Sequence, residues 1–222
     1  MQEHEVRPLS RLKTLVARNM HRALRETAHA TLHCECDVTA LVHAAERANG
    51  AALPVSAHVL HALVATLRTY PDFNAHLTTD ELCLYRHVRL GLMADTPHGV
   101  IVACIDDAAA LDLHGLHAAA AELYDRARRN AFQVAETRGA TFLVADLSAF
   151  PVDAFTPILM PSAVAILGIG RVRPGCRPGP AGLRPAHLLT LSLTFDHRAT
   201  DGFAAGRFLH TLTRHLEDES AG

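Results

Sequence analysis

The spacing of apolar residues changes repeatedly along this chain, from every third or fourth position to every second and back. Helical and strand periods in one chain give a mixed α/β order. Residues 11 to 26 place Leu12, Leu15, Val16, Met20, Ala23 and Leu24 at helical spacing behind Pro8 and a Ser10 cap, which predicts an amphipathic first helix. Residues 29 to 38 alternate as a strand, and Asp37 is placed to cap a second helix that runs to about Asn49 and stops at Gly50. A third helix opens at Ser56, carries Val59, Leu60, Leu63, Val64 and Leu67, and ends at Tyr70 before Pro71. Strands are expected over 82 to 94 and 100 to 105, joined by the turn Thr96-Pro97-His98-Gly99. A helix follows over 112 to 130, with Arg126, Arg128 and Arg129 complementing its dipole. Strands near 141 to 147, 163 to 171 and 187 to 195 and a helix from Phe203 to Leu216 complete the pattern. The run RPGCRPGPAGLRP, 173 to 185, reads as a surface loop between strands. The whole is one α/β domain over residues 1 to 222, with antiparallel runs in a mixed sheet.

Several function classes are disfavoured at this point. With 49% apolar and 20% charged residues but no apolar run of about 20, the chain offers no membrane span. Its start, MQEHEVRPLS, shows no secretory signal, so cytoplasmic residence is the expectation. Net charge is −2 and the basic residues are scattered, which argues against nucleic acid as a partner. Cysteines at 34, 36, 83, 104 and 176 form an odd, scattered set, read as reduced. His33 falls on the opposite strand face from Cys34 and Cys36, and nothing completes a tetrahedral set, so no metal is expected.

The segment LSLTFDHRATDG, 191 to 202, carries the chemistry: an apolar strand delivers His197 into a tight turn that ends in Asp201-Gly202. A strand end holds a side chain rigidly while the following loop leaves it reachable, as a general base requires.

Here the sequence resembles a known family, the catalytic domain of dihydrolipoamide acyltransferases from 2-oxoacid dehydrogenase complexes, related in fold to chloramphenicol acetyltransferase. The likeness rests on the H-x-x-x-D-G element, Ala17-Arg18 and Met20 of the first helix, YPDFNAHL (70 to 77), LGLMADTPHGVIVACIDDA (90 to 108) and AFTPILMPSAVAILGIGRV (154 to 172). It implies a chloramphenicol acetyltransferase-like two-layer sandwich with a mixed sheet and flanking helices. It also implies a homotrimer with active sites at subunit interfaces, where acyl donor and acceptor enter from opposite ends. By the same likeness His197 deprotonates a thiol or hydroxyl that attacks an acyl thioester, and Asp201 supports the histidine loop through Arg18 or Arg22; a turn or helix cap is the other reading of Asp201. Gly202 would permit a close approach that a side chain blocks.

One departure stands out. The family carries an oxyanion-stabilising serine in a stretch like FTISNLG, whereas here the aligned FLVADLS, 142 to 148, holds Ala145. Ser148, Thr194 or a backbone amide could substitute, the acceptor could supply its own hydrogen bond, or the protein could be inactive. Coenzyme A would need positive charge for its phosphates, and Arg171 or Arg173 could provide it or could be solvated surface residues. The charged ending Glu217-Asp218-Glu219-Ser220-Ala221-Gly222 is read as disfavouring assembly beyond a trimer.

Three functions are therefore open. The leading expectation is a CoA-dependent acyltransferase, an O-acetyltransferase of a small hydroxylated metabolite such as a tetronate-type natural-product intermediate. The second is the dihydrolipoamide acyltransferase core of a 2-oxoacid dehydrogenase complex, and the third a non-catalytic homologue.

Overall fold

Ser10 turns its hydroxyl to the N–H of Lys13 at 3.2 Å and so starts helix α1, Arg11–Glu26. The structure, a computed structural model, describes residues 4–48, 53–132, 138–180 and 182–219. Strand β1, His29–Asp37, follows, and the Asp37 carboxylate takes the N–H of Thr39 at 3.0 Å where α2, Thr39–Arg47, begins. Asn49 and Gly50, expected to end that helix, lie outside the described residues. Helix α3 spans Val55–Thr69, one residue earlier than Ser56.

The expected strand over 82 to 94 divides in two. Strand β2, Ala75–Leu77, pairs with β3, Leu82–Leu84, as a small separate sheet, whereas β4, Leu90–Thr96, forms the hairpin with β5, Gly99–Ile105. Pro97 and His98 make that turn, and the Thr96 hydroxyl receives the N–H of His98 at 3.2 Å. Helix α4, Leu113–Arg128, is capped by Asp112, which accepts from the N–H of Gly115 at 2.7 Å. Then come β6, Phe142–Asp146, β7, Ala165–Gly179, β8, Gly182–Asp196, and α5, Gly202–Glu219. Glu217 to Glu219 of the charged ending thus continue a helix, and Ser220 to Gly222 lie outside the described residues.

The main sheet has the order β1-β8-β7-β6-β4-β5. Strand β6 runs parallel to both its neighbours while the other pairings are antiparallel, so the sheet is mixed, as expected. One face carries the main core beneath α3, α4 and α5. Its centre is Phe208 of α5, whose ring lies 4.5 Å from that of Phe73 and 6.0 Å from that of Phe142. Burying aromatic rings of this size stabilises the layer by about 1.5–3 kcal/mol each. The opposite face is covered in part by the irregular segment 147 to 163, whose Phe155 and Leu159 pack on Leu143, Ala145 and Ile166. Close approach is built into that covering: a Cβ on Gly168 would lie 2.9 Å from the Phe155 ring, and one on Gly170 would collide with the carbonyl of Asp153.

The Pro- and Gly-rich run corrects the sequence reading. Residues 173 to 179 and 182 to 188 are not a loop; they extend β7 and β8 into a two-stranded ribbon beyond the end of β6. Pro174 faces His187, Pro185 faces Cys176 and Pro178 faces Leu183, so these three prolines fall on alternate rungs of one set, while Pro180 lies in the turn. His187 shows the geometry of that set, because its N–H goes outward to the Thr39 hydroxyl at 2.8 Å and its C=O outward to Val38 N–H at 2.9 Å. A proline there forfeits no ladder bond. Glu35 of β1 pairs with Arg173 and Arg177, and Asp37 with Arg184, which fastens the ribbon to its neighbour strand.

None of the five cysteines forms a disulfide. Among the described residues, no helix is long and apolar enough to cross a membrane, and no group of three or more His, Cys, Asp or Glu could hold a metal ion.

Candidate active site

Strand β8 ends at Asp196, where four main-chain bonds fold the chain. Asp196 N–H reaches Val164 O at 2.9 Å, His197 N–H reaches Ala28 O at 2.8 Å, and the N–H groups of Ala199 and Thr200 return to Asp196 O at 2.9 and 3.2 Å. The Asp196 residue is only 1% exposed. Its carboxylate accepts from the N–H groups of Ala28 and Arg198 at 3.3 and 3.0 Å and from the Arg198 guanidinium at 2.7 Å. Burial pushes this carboxyl up, but the Arg198 guanidinium and the two N–H groups outweigh it and hold it below its usual range. The main chain of His197 is therefore fixed while its side chain stays exposed, with the ring 5.8 Å from that of Phe195. Rigid placement with access is what a base needs. The sequence reading had no role for Asp196 or Arg198, although the run DHR, with acid and base two apart at a strand end, was a usable signal.

Asp201 caps α5. Its carboxylate accepts the N–H of Ala204 at 2.8 Å and its carbonyl that of Ala205 at 3.0 Å. Within the chain, Arg22 pairs instead with Glu26 at 2.8 Å, and no partner of Arg18 is found among the described residues, so neither arginine joins Asp201. A Cβ on Gly202 would meet nothing within 4 Å, so no crowding inside one chain requires that glycine.

Ala145 lies on β6 opposite Gly168, 7% exposed, on the face covered by Phe155 and Leu159. Across that face the register sets His33, Ser192, Gly168 and Ala145 in one row, and Thr31, Thr194, Ile166 and Leu143 in the next. The hydroxyls in these rows are engaged: Thr194 with Thr31 at 2.8 Å and Ser192 with the His33 ring at 2.9 Å. Thr194 is fully buried, so the structure does not present it as an oxyanion donor to an incoming substrate. Ser148 stands past the far end of β6, where its N–H bonds the Asp146 carboxylate at 2.8 Å and the residue lines a cavity of about 220 Å³ with Pro54, Ser56, Ile169 and Leu189.

The register also separates the two halves of the chemistry. His197 lies one residue past Asp196, at the end of the sheet where β7 begins, whereas Ala145 sits opposite Gly168. Five residues along the strands and two strands across place them about 19 Å apart. One chain therefore does not bring its own His197 to its own Ala145. The two arginines expected to meet coenzyme A are each already matched by a carboxylate: Arg171 with Asp153 at 2.5 Å and Arg173 with Glu35. A larger cavity of about 630 Å³, lined by His43, Arg177, Arg184 and Glu217, lies at the ribbon's base, away from His197 and Ala145.

The model of the 2-oxoacid dehydrogenases acyltransferase (catalytic domain) matches residues 1–221. The chain is 32% identical over 221 residues to the dihydrolipoyllysine-residue acetyltransferase component of the acetoin cleaving system of Bacillus subtilis, covering 96% of this chain and 56% of that protein. It thus spans about half the length of the curated relatives it matches. Among solved structures, it superposes with a TM-score of 0.91 at 32% identity on Azotobacter vinelandii dihydrolipoamide acetyltransferase, covering 99% of this chain and 93% of that one. That structure was used to investigate the catalytic role of a serine, a histidine and an asparagine; its serine and histidine stand 52 positions apart, as do Ala145 and His197, and its asparagine follows the histidine by four, as Asp201 does here. Chloramphenicol acetyltransferase matches with a TM-score of 0.61 at 14% identity, over 90% of this chain and 94% of that one, a likeness of fold.

Proposed function

Because this chain belongs to the 2-oxoacid dehydrogenase acyltransferase family, in its catalytic domain, we propose that it is a dihydrolipoamide acyltransferase core, moving an acyl group between coenzyme A and a dihydrolipoyl thiol. The leading sequence expectation, O-acetylation of a small natural-product metabolite, is overturned: the relatives matched are dihydrolipoyllysine acetyltransferases.

The observation that carries the proposal is the exposed His197 on a turn pinned by Ala28 and the Asp196–Arg198 pair. In this reading the His197 ring takes the thiol proton, and the thiolate attacks the thioester carbonyl. The tetrahedral intermediate then expels the second thiolate, which recovers the proton from the imidazolium. The site is completed by a second copy, in a homotrimer whose interfaces bring His197 of one chain near β6 of the next. Two features support this: the separation of His197 from Ala145, and the apolar stripe of α1, where Leu15 and Leu24 remain 56% and 55% exposed. The reading is tested by acetyl transfer from acetyl-CoA to dihydrolipoamide, in which His197→Ala should lower kcat by about 100- to 10,000-fold. Equal rates for wild type and variant would refute it.

Ala145 favours a second reading, a core that keeps the fold without turnover, since it offers no hydroxyl to an oxyanion. A folded trimer that transfers no acyl group from acetyl-CoA to dihydrolipoamide would establish that reading instead.

A further inference from the structure

His29 opens β1, directly opposite Asp196 in the ladder, and its side chain reaches an element the ladder does not touch. Leu159 lies between Pro157 and Pro161 in the irregular segment over Ala145, and its N–H donates to His29 Nε2 at 3.2 Å. The Leu159 side chain is fully buried, and this is the one hydrogen bond found for its N–H among the described residues. Thr27 Oγ1 lies 3.3 Å from His29 Nδ1 and 3.1 Å from Nε2, and gives its own proton to Ala23 O at 2.6 Å. With Nε2 accepting from the Leu159 N–H, the single proton of the neutral ring belongs on Nδ1.

We propose that His29 is a positioning residue, whose neutral ring fastens the segment over Ala145 to the chain that also holds the His197 turn. The link is short: Ala28, its neighbour, accepts from His197 N–H and donates to the Asp196 carboxylate. A second proton on the ring would set two donors against each other at Nε2 and release the Leu159 N–H. Burial lowers the affinity of this ring for that proton, and Asp196, the charged group acting on it, favours uptake in part, with Arg198 paired to that carboxylate. Glu26 stands at the end of α1 and His197 just past Asp196. The consequence for catalysis rests on the acyltransferase reading, whereas the fastening itself does not.

Amide hydrogen exchange of the full chain, read on the peptide containing Ile158, Leu159 and Met160 from pH 8 to 5 and corrected for intrinsic rates, separates the two. Protection in wild type should fall about 10-fold or more as the pH drops below 6.5, the ordinary histidine value. His29→Gln, whose side-chain oxygen accepts at every pH, should remove that step, and His29→Leu should leave the segment unprotected even at pH 8. A flat wild-type profile, or an equal step in H29Q, overturns the proposal, and the H29Q comparison suffices if H29L does not fold. An intact step in a protein that transfers no acyl group refutes the acyltransferase reading while supporting this one.

Discussion

Ala145→Ser restores one hydroxyl at the position where the family resemblance expects an oxyanion donor. A single such donor is worth about 100- to 1,000-fold in kcat, or about 2.7–4 kcal/mol of transition-state stabilisation. The opposing cost comes from the surroundings: Ala145 packs against Leu143, Leu159 and Ile166, and a hydroxyl left unbonded there destabilises the fold by about 1–3 kcal/mol. A domain of ordinary stability survives that loss, so gain in turnover and loss in melting temperature should appear together. Saturating acetyl-CoA and dihydrolipoamide, with a parallel thermal melt, read both quantities. The expected result is a kcat raised at least about 10-fold with KM little changed, abolished again in the double variant with His197→Ala. A folded A145S protein whose kcat stays within about twofold of wild type would refute the argument that this site lacks a donor.

The other outcomes follow from the same geometry. Asp196→Asn weakens the clamp on Arg198 and the Ala28 N–H, and should cost about 1–3 kcal/mol in denaturant unfolding at pH 7. The Asp196 carboxyl is held below its ordinary 3.8, so its contribution is present above that pH and fades as the pH falls through the lower folded value; acid unfolding of D196N should lack this component. Gly170→Ala drives a methyl into the Asp153 carbonyl, where backbone must yield, and should destabilise by about 1–3 kcal/mol while loosening the segment over Ala145 in hydrogen exchange.

Helices were legible where one face meets the core, as in α3, because local periodicity and packing agree there. The turn at His197 was legible because an apolar strand running into Asp and Gly leaves few other outcomes. The ribbon was not: a count of Pro and Gly over 173 to 185 points to a loop, and only the register shows that Pro174, Pro178 and Pro185 each take a rung with nothing to lose. His29 was missed for a related reason, since its partners Leu159 and Asp196 lie 130 and 167 residues away, and no local pattern marks such a meeting. Ala145 was noticed through resemblance alone; in its own neighbourhood an alanine in an apolar strand is unremarkable.

Among the described residues, no strand flanks β8 before Leu188 or β7 past Ile169, so beyond the bonds from His187 to Val38 and Thr39 two backbone edges of the ribbon lie open. An open edge recruits foreign strands by offering alternating N–H and C=O groups. Pro174, Pro178 and Pro185 each delete the outward donor from that row, so a would-be intruder meets acceptors without their matching donors. The ribbon thus extends past the sheet with edges that a foreign strand cannot fully pair.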